Sequence, residues 1–194
     1  MPVTINATPG DPDANSYDTL QEVNDYFDAR IPLNPPWNPA TDPASRAIVT
    51  ATRTIDSLAS GRRRLVKPAS GDAYYIVGRK WTGTPATSTQ ALAWPRIGMY
   101  DRNGNPIPAD VIPRELKEAT AELSGQLQQT DRTLDNAVSA QGIKSISAGS
   151  VSVAFKDDID VKVLSDMVLN LMPPSWFTEE TIEGATSVFD FEVI

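Results

Sequence analysis

Apolar side chains return at every third or fourth position in four stretches of the chain and alternate in a fifth. In "TLQEVNDYFDAR", Leu20, Val23 and Phe27 share a helical face with Tyr26 beside them, and Thr19 with Glu22 three residues on is a reciprocal capping pair. This predicts a short amphipathic helix that ends before Pro32. A second helix is expected from Asp42-Pro43, read as N-cap and first-turn proline, because Ala44, Ala47, Ile48, Ala51, Ile55 and Leu58 recur through about residue 59. Gly61 follows where a left-handed terminating residue is wanted. The clearest helix follows Pro113: "RELKEATAELSGQLQQ" aligns Leu116, Ala119, Leu123 and Leu127, with Thr120 at the edge of the stripe, the charges outward, and Glu115 and Glu118 near the positive end of the helix dipole. A last helix, "DVKVLSDMVLNLM", presents Val161, Leu164, Val168 and Leu171 or Met172, starts at Asp160 as its cap and stops at Pro173-Pro174. In "IKSISAGSVSVAF" the period changes to two around Ala148-Gly149, which predicts a β-hairpin over 143–155.

The segments between are of other kinds. "IPLNPPWNPATDP" holds five prolines and cannot be helical. Residues 61–111 read as an elaborated loop, with a short strand at Tyr74 to Val77 and a tight turn at Asn103-Gly104. Residues 173–194 carry Trp176, Phe177, Phe189 and Phe191 among acidic and small residues, a pattern that cannot build its own core. The expected fold is therefore mainly α: a small bundle of three to four helices with a β-hairpin, forming a domain over 1–172, followed by an extended C-terminal arm over 173–194.

Composition narrows the chemistry. With 194 residues and 40% apolar content the chain suffices for one core with extensions. It has no cysteine and no histidine, which excludes thiol nucleophiles, disulfides, thiolate or imidazole metal sites and histidine bases. No enzymatic activity, cofactor or metal is expected. Acidic groups such as Asp157, Asp158 and Asp160 lack the spacing of a calcium loop, and no phosphate-binding glycine loop is present. The sequence offers neither a secretion signal nor a membrane span, so a cytoplasmic protein, or part of something assembled in a cytoplasm, is expected.

The formal charge is −8, and it is unevenly distributed. Residues 1–97 hold ten Lys/Arg against nine Asp/Glu, whereas residues 98–194 hold seven against sixteen. Such a balance suits protein partners, or a passage through which DNA moves without sticking. The basic cluster Arg62, Arg63, Arg64 is read either as a solvated helix end or as a contact with an acidic partner or phosphates. Trp94, fixed by Pro95 and followed by Arg96, reads as an anchor that pins the long loop onto the helix after Pro113. Trp176, Phe177, Phe189 and Phe191 read as anchors of an arm that orders on a partner.

The order of "SYDTLQEVNDYF", "ALAWPR", "IPRELKEATAEL", "SISAGSVSVAF" and "LSDMVLNLMPP" over residues 16–176 resembles the head-to-tail connector, or adaptor, proteins of tailed bacteriophages. That resemblance implies a virion structural protein located in the neck and assembled in the host cytoplasm. It would form a dodecameric homo-oligomeric ring beneath the portal protein, extend the channel for double-stranded DNA without sequence-specific binding, and offer a platform to the next neck or tail protein. Some relatives of that kind carry a single-stranded-DNA-binding label. Such a module needs aromatics interleaved with Lys and Arg on a platform, which only "YYIVGRKW" offers.

Overall fold

The computed structural model describes residues 3–61, 63–66, 74–130, 145–148, 151–154, 164–178 and 181–183. Helices α1 (Leu20–Asp28), α2 (Thr41–Leu58), α3 (Arg114–Gln129) and α4 (Asp166–Leu171) form the bundle. The fold is mainly α, as the periodicities require, with a β-hairpin of β5 (Ser145–Ala148) and β6 (Val151–Ala154) in the register Ala148 opposite Val151. No helix among the described residues is long and apolar enough to cross a membrane.

The helix ends follow local chemistry. At α1 the Thr19 hydroxyl accepts from the Glu22 amide while the Glu22 carboxylate accepts from the Thr19 amide, so two otherwise free donors are satisfied. Helix α2 begins one residue ahead of the expected cap, after Ala40, with Asp42 in its first turn and no side-chain cap. Its end is as expected: Gly61 has φ +66°, and a Cβ there would run into the Lys80 side chain. Helix α4 is capped by Ser165, whose hydroxyl accepts from the Val168 amide at 3.3 Å. Asp160 and the start of the stretch once read as helix lie outside the described residues, as do Asp157 and Asp158.

Helix α3 is the centre of the bundle, packed against α2, α4 and α1. Leu116, Ala119 and Leu123 join Tyr17, Ala51, Ile55, Trp81, Trp94, Met99, Val168 and Trp176 in the main core. On another side, Ala121 packs with Val23, Phe27 and Ile48. Because α3 is buried on two sides, its polar residues are not all turned outward: Thr120 is buried with its hydroxyl donating to the Leu116 carbonyl, and buried Glu122 accepts from Arg30, Tyr26 and Gln126. Gly125 lies so close to Phe27 and Leu33 that a Cβ would collide with both.

The elaborated loop contains more order than its composition suggests. Strands β1 (Arg63–Val66), β2 (Tyr74–Val77) and β7 (Thr181–Glu183) form an antiparallel sheet with β2 central, and β3 (Thr84–Pro85) pairs with β4 (Arg96–Ile97). Arg63 opposite Val77 continues in register to the Ser60–Lys80 bridge. Val77 opposite Thr181 continues in register to the Trp81–Phe177 bridge. β2 and the segment that follows it to Trp81 are thus clamped on one side by the exit of α2 and on the other by the segment after α4.

That second clamp corrects the expected arm. The chain does not leave the domain at residue 173: Trp176 is 0% exposed, its indole N–H donates to the Tyr100 carbonyl at 2.7 Å, and its own carbonyl accepts from the Thr82 amide at 2.8 Å. Phe177 stacks on Trp81 with ring centres 4.6 Å apart. An indole with no accessible surface has nothing to offer a partner, so Trp176 is a core residue. Phe189 and Phe191 lie outside the described residues.

Two outcomes follow. Trp176→Ala removes a fully enclosed ring and should cost about 3–5 kcal/mol in urea unfolding; a loss below about 1 kcal/mol would contradict its place in the core. Asp18 is 2% exposed, one carboxylate oxygen lacks a hydrogen-bond partner, and burial pushes its pKa up to about 7, with Glu22 and Glu118 adding to the rise and Lys117 opposing it. Because the folded value lies above the unfolded one, the contribution of Asp18 to stability is complete below about pH 4 and is lost as the pH rises through about 7. Asp18→Asn cannot ionise, so its melting temperature should exceed the parent's at pH 8 and differ little below about pH 4; the same difference in both ranges would refute the assignment.

Candidate nucleic-acid interface

A carboxylate on α2 holds the loop that frames the site. Asp56 accepts from the Tyr17 hydroxyl and from the Ala93 amide at 3.0 Å, which fixes the stretch Leu92 to Arg96 against the bundle. Burial raises the Asp56 pKa, while these two donors and nearby Arg96 act in the opposite sense. Burial, with Asp56 beside it, raises that of Tyr17 well above the ordinary range. Trp94 lies in the main core, edge-on to Trp81 and tilted against Trp176 at 4.7 Å. Arg96 is buried and donates to three carbonyls, those of Thr82, Gly83 and Ala93, at 2.8–3.0 Å. The Trp94-Pro95-Arg96 group is therefore interior scaffold in this structure.

Most cations of the bundle are likewise committed. Arg30 pairs with Glu122, Arg46 with Asp42, Arg114 with Glu118 and Lys117 with Glu22. Arg102 donates to the Asn170 and Leu171 carbonyls at the end of α4. Among the described residues, Arg53, Arg79 and Lys80 are exposed and have no ion pair or side-chain hydrogen bond. Arg79 and Lys80 lie just beyond the end of β2, Lys80 in the bridge to Ser60, and Arg63 and Arg64 belong to β1, which pairs with β2. The basic cluster is thus a strand of this sheet rather than a helix end, because the chain turns at Gly61 directly into β1; Arg62 lies outside the described residues.

Alternation along β2, kept in register through the Lys80 and Trp81 bridges beyond its end, directs Tyr75, Val77, Arg79 and Trp81 to one side and Lys80 to the other. Trp81 enters the core, Val77 is half-buried, and Arg79 and Tyr75 are exposed. The same face therefore passes from packed indole to solvent-accessible cation and phenol. Beside Arg79 opens a groove of about 830 Å³, walled by Asp166, Asn170 and Met172 from α4 and its cap and by Phe177 and Thr178 from the clamping segment. Among the described residues no cluster of acidic groups forms a metal site.

A family model described as "Putative DnaT-like ssDNA binding protein" matches residues 71–184, more than half of the chain. The chain belongs to that family. Membership in the head-to-tail connector family, which the order of motifs suggested, is overturned by this match: a capped helix, a Trp-Pro loop and a Ser-rich hairpin are short patterns set by local physics and do not specify a family. The matched region holds the central strand, α3, the hairpin, α4 and the clamping segment, and so includes every groove residue named above. No curated protein and no solved structure matches the chain.

The two kinds of arginine should separate experimentally. Replacing Arg79 and Lys80 together with alanine should leave unfolding stability within about 0.5 kcal/mol of the parent, as expected for unpaired surface groups. Arg96→Ala leaves three carbonyls without their donor and should cost at least about 2 kcal/mol. Equal costs for the two variants would refute the division.

Proposed function

We propose that this protein is a non-enzymatic binding module for single-stranded DNA, with the exposed face of the three-stranded sheet as its contact surface. The observation that carries the reading is Arg79, exposed just beyond β2 on the same side as exposed Tyr75, without a counter-ion among the described residues and beside a groove partly walled by Phe177; Lys80 follows it on the opposite side of the chain, over Gly61. Cations give affinity for the backbone and aromatic faces give stacking, which is the chemistry that unpaired strands require. The family description supports the same ligand. With a formal charge of −8 and few free cations, binding is modest and salt-limited.

A second reading is favoured by that acidic balance together with the exposed apolar side chains Ile31, Ile97, Tyr100 and Met167. In it the protein is a ring-forming adaptor in the neck of a virion, docked between the portal and the next neck protein and repellent to the duplex DNA it lets pass. Both readings are binding roles without catalysis.

Fluorescence anisotropy of a labelled mixed-sequence oligonucleotide, titrated at several salt concentrations, separates them. Single-strand binding by two to four cations predicts a log–log salt slope between about −1.4 and −2.8, and the Arg79→Ala/Lys80→Ala double variant should weaken binding and flatten the slope by about 0.7 for each of the two cations that contacts the strand. Absence of measurable binding at low salt would contradict the first reading and favour the second.

A further inference from the structure

The sheet beside the groove is also where the last stretch of the chain sets out. Strand β7 brings Glu183 opposite Tyr75, four residues along β2 and its continuation from Arg79. Residues 184–194 lie outside the described residues, and their sequence has a simple plan: the small residues Gly184, Ala185, Thr186 and Ser187, then "VFDFE", in which rings alternate with carboxylates. Every charged residue after Thr178 is acidic: Glu179, Glu180, Glu183, Asp190 and Glu192. We propose that residues 188–192 dock in the groove beside Arg79 as a tethered competitor of the DNA strand, so that the protein restrains its own binding; this inference rests on the single-strand reading.

The groove suits the groups that this segment carries. Phe177 is half-buried and stacked on Trp81, itself edge-on to Trp94, so the ring that lines the groove is held in place before any ligand arrives. Leu169, Met172 and Pro174 add apolar wall. Such a preformed surface receives a phenyl ring without the entropy cost of ordering a loose side chain. Arg79 is exposed at the groove and has no counter-ion among the described residues. A carboxylate next to the docked ring supplies one. An unpaired strand offers the same alternation of flat ring and anion, so the two ligands exclude each other.

The tether is long enough. Arg79 stands roughly 13 Å from Tyr75 along extended backbone, and the stretch from Glu183 to Val188 spans up to roughly 17 Å. A link this short gives an effective concentration of about 1 mM. A contact with a Kd of about 0.1 mM then fills the groove about nine-tenths of the time and weakens strand binding about tenfold.

The test is anisotropy of a labelled mixed-sequence oligonucleotide with the full chain. Phe189→Ala/Phe191→Ala and Asp190→Asn/Glu192→Gln should each bind about tenfold more tightly than wild type, the first with no change of charge. Asp28→Asn/Asp110→Asn removes the same charge from exposed positions at the end of α1 and ahead of α3, and should change affinity by less than about twofold. Wild-type affinity in both segment variants would overturn the docking and leave single-strand binding intact. A gain in the carboxylate variant without one in the phenylalanine variant would also overturn it, because long-range repulsion rather than the groove is then at work. Failure of every variant to bind would overturn this proposal and the reading beneath it together.

Discussion

Three indoles drawn from distant parts of the chain share one desolvated volume, and the rest of the structure is arranged around that fact. Trp81, Trp94 and Trp176 touch in sequence, and Phe177 extends the stack beyond Trp81. Each such contact contributes about 0.5–1.5 kcal/mol beyond the area it buries. The arrangement leaves the indole N–H groups of Trp81 and Trp94 without partners, an unfavourable term of about 1–3 kcal/mol each that the burial of large apolar rings must offset. For Trp176 to reach this volume the chain after α4 must run back along residues 80–82. That return sets the register of the whole second side of the sheet. The core and the sheet are one cooperative piece of structure, joined through Trp81.

The same constraint explains where positive charge is free. Asp56 and Arg96 are spent in holding the loop that delivers Trp94: one accepts from Tyr17 and Ala93, the other donates to three carbonyls. Arg30, Lys117 and Arg114 are tied to carboxylates of the bundle, and Arg102 to carbonyls of α4. Among the described side chains, those left without an ion pair beside the sheet are Arg79 and Lys80, between the end of β2 and the core residue Trp81. A protein with a strongly negative balance thus presents a local cationic edge, placed there because the strand has left the core but is still clamped from both sides.

Local signals were readable from residues alone where the physics is local. The Thr19–Glu22 cap, the stripe Leu116, Ala119, Leu123 and the alternation around Ala148-Gly149 each depend on neighbours within a few positions, and each forms the element it implies. The sheet was only partly legible. Tyr74 to Val77 read as a strand, but its partners Arg63–Val66 and Thr181–Glu183 are too short to show a period, and the pairing with Thr181–Glu183 spans more than a hundred residues. Trp176 was misread because aromatics scattered among acidic residues look like an arm; its burial is decided by Trp94 and Tyr100, far away in the chain. The groove was not legible at all. "YYIVGRKW" did hold its cationic half, yet Phe177, Asp166 and Asn170 reach it only through the fold, and no spacing in the sequence connects them.

Native-state hydrogen exchange tests most directly whether the segment after α4 is welded into the core. The Thr82 amide donates to the Trp176 carbonyl at 2.8 Å, and the Thr178 amide donates to the Lys80 carbonyl at 2.9 Å. If the indole cluster ties this segment to the bundle, both amides exchange only on global opening, with the same free energy as the buried amides in the middle of α3. If Thr82 and Thr178 exchange orders of magnitude faster while α3 stays protected, the segment opens on its own and the central claim is wrong.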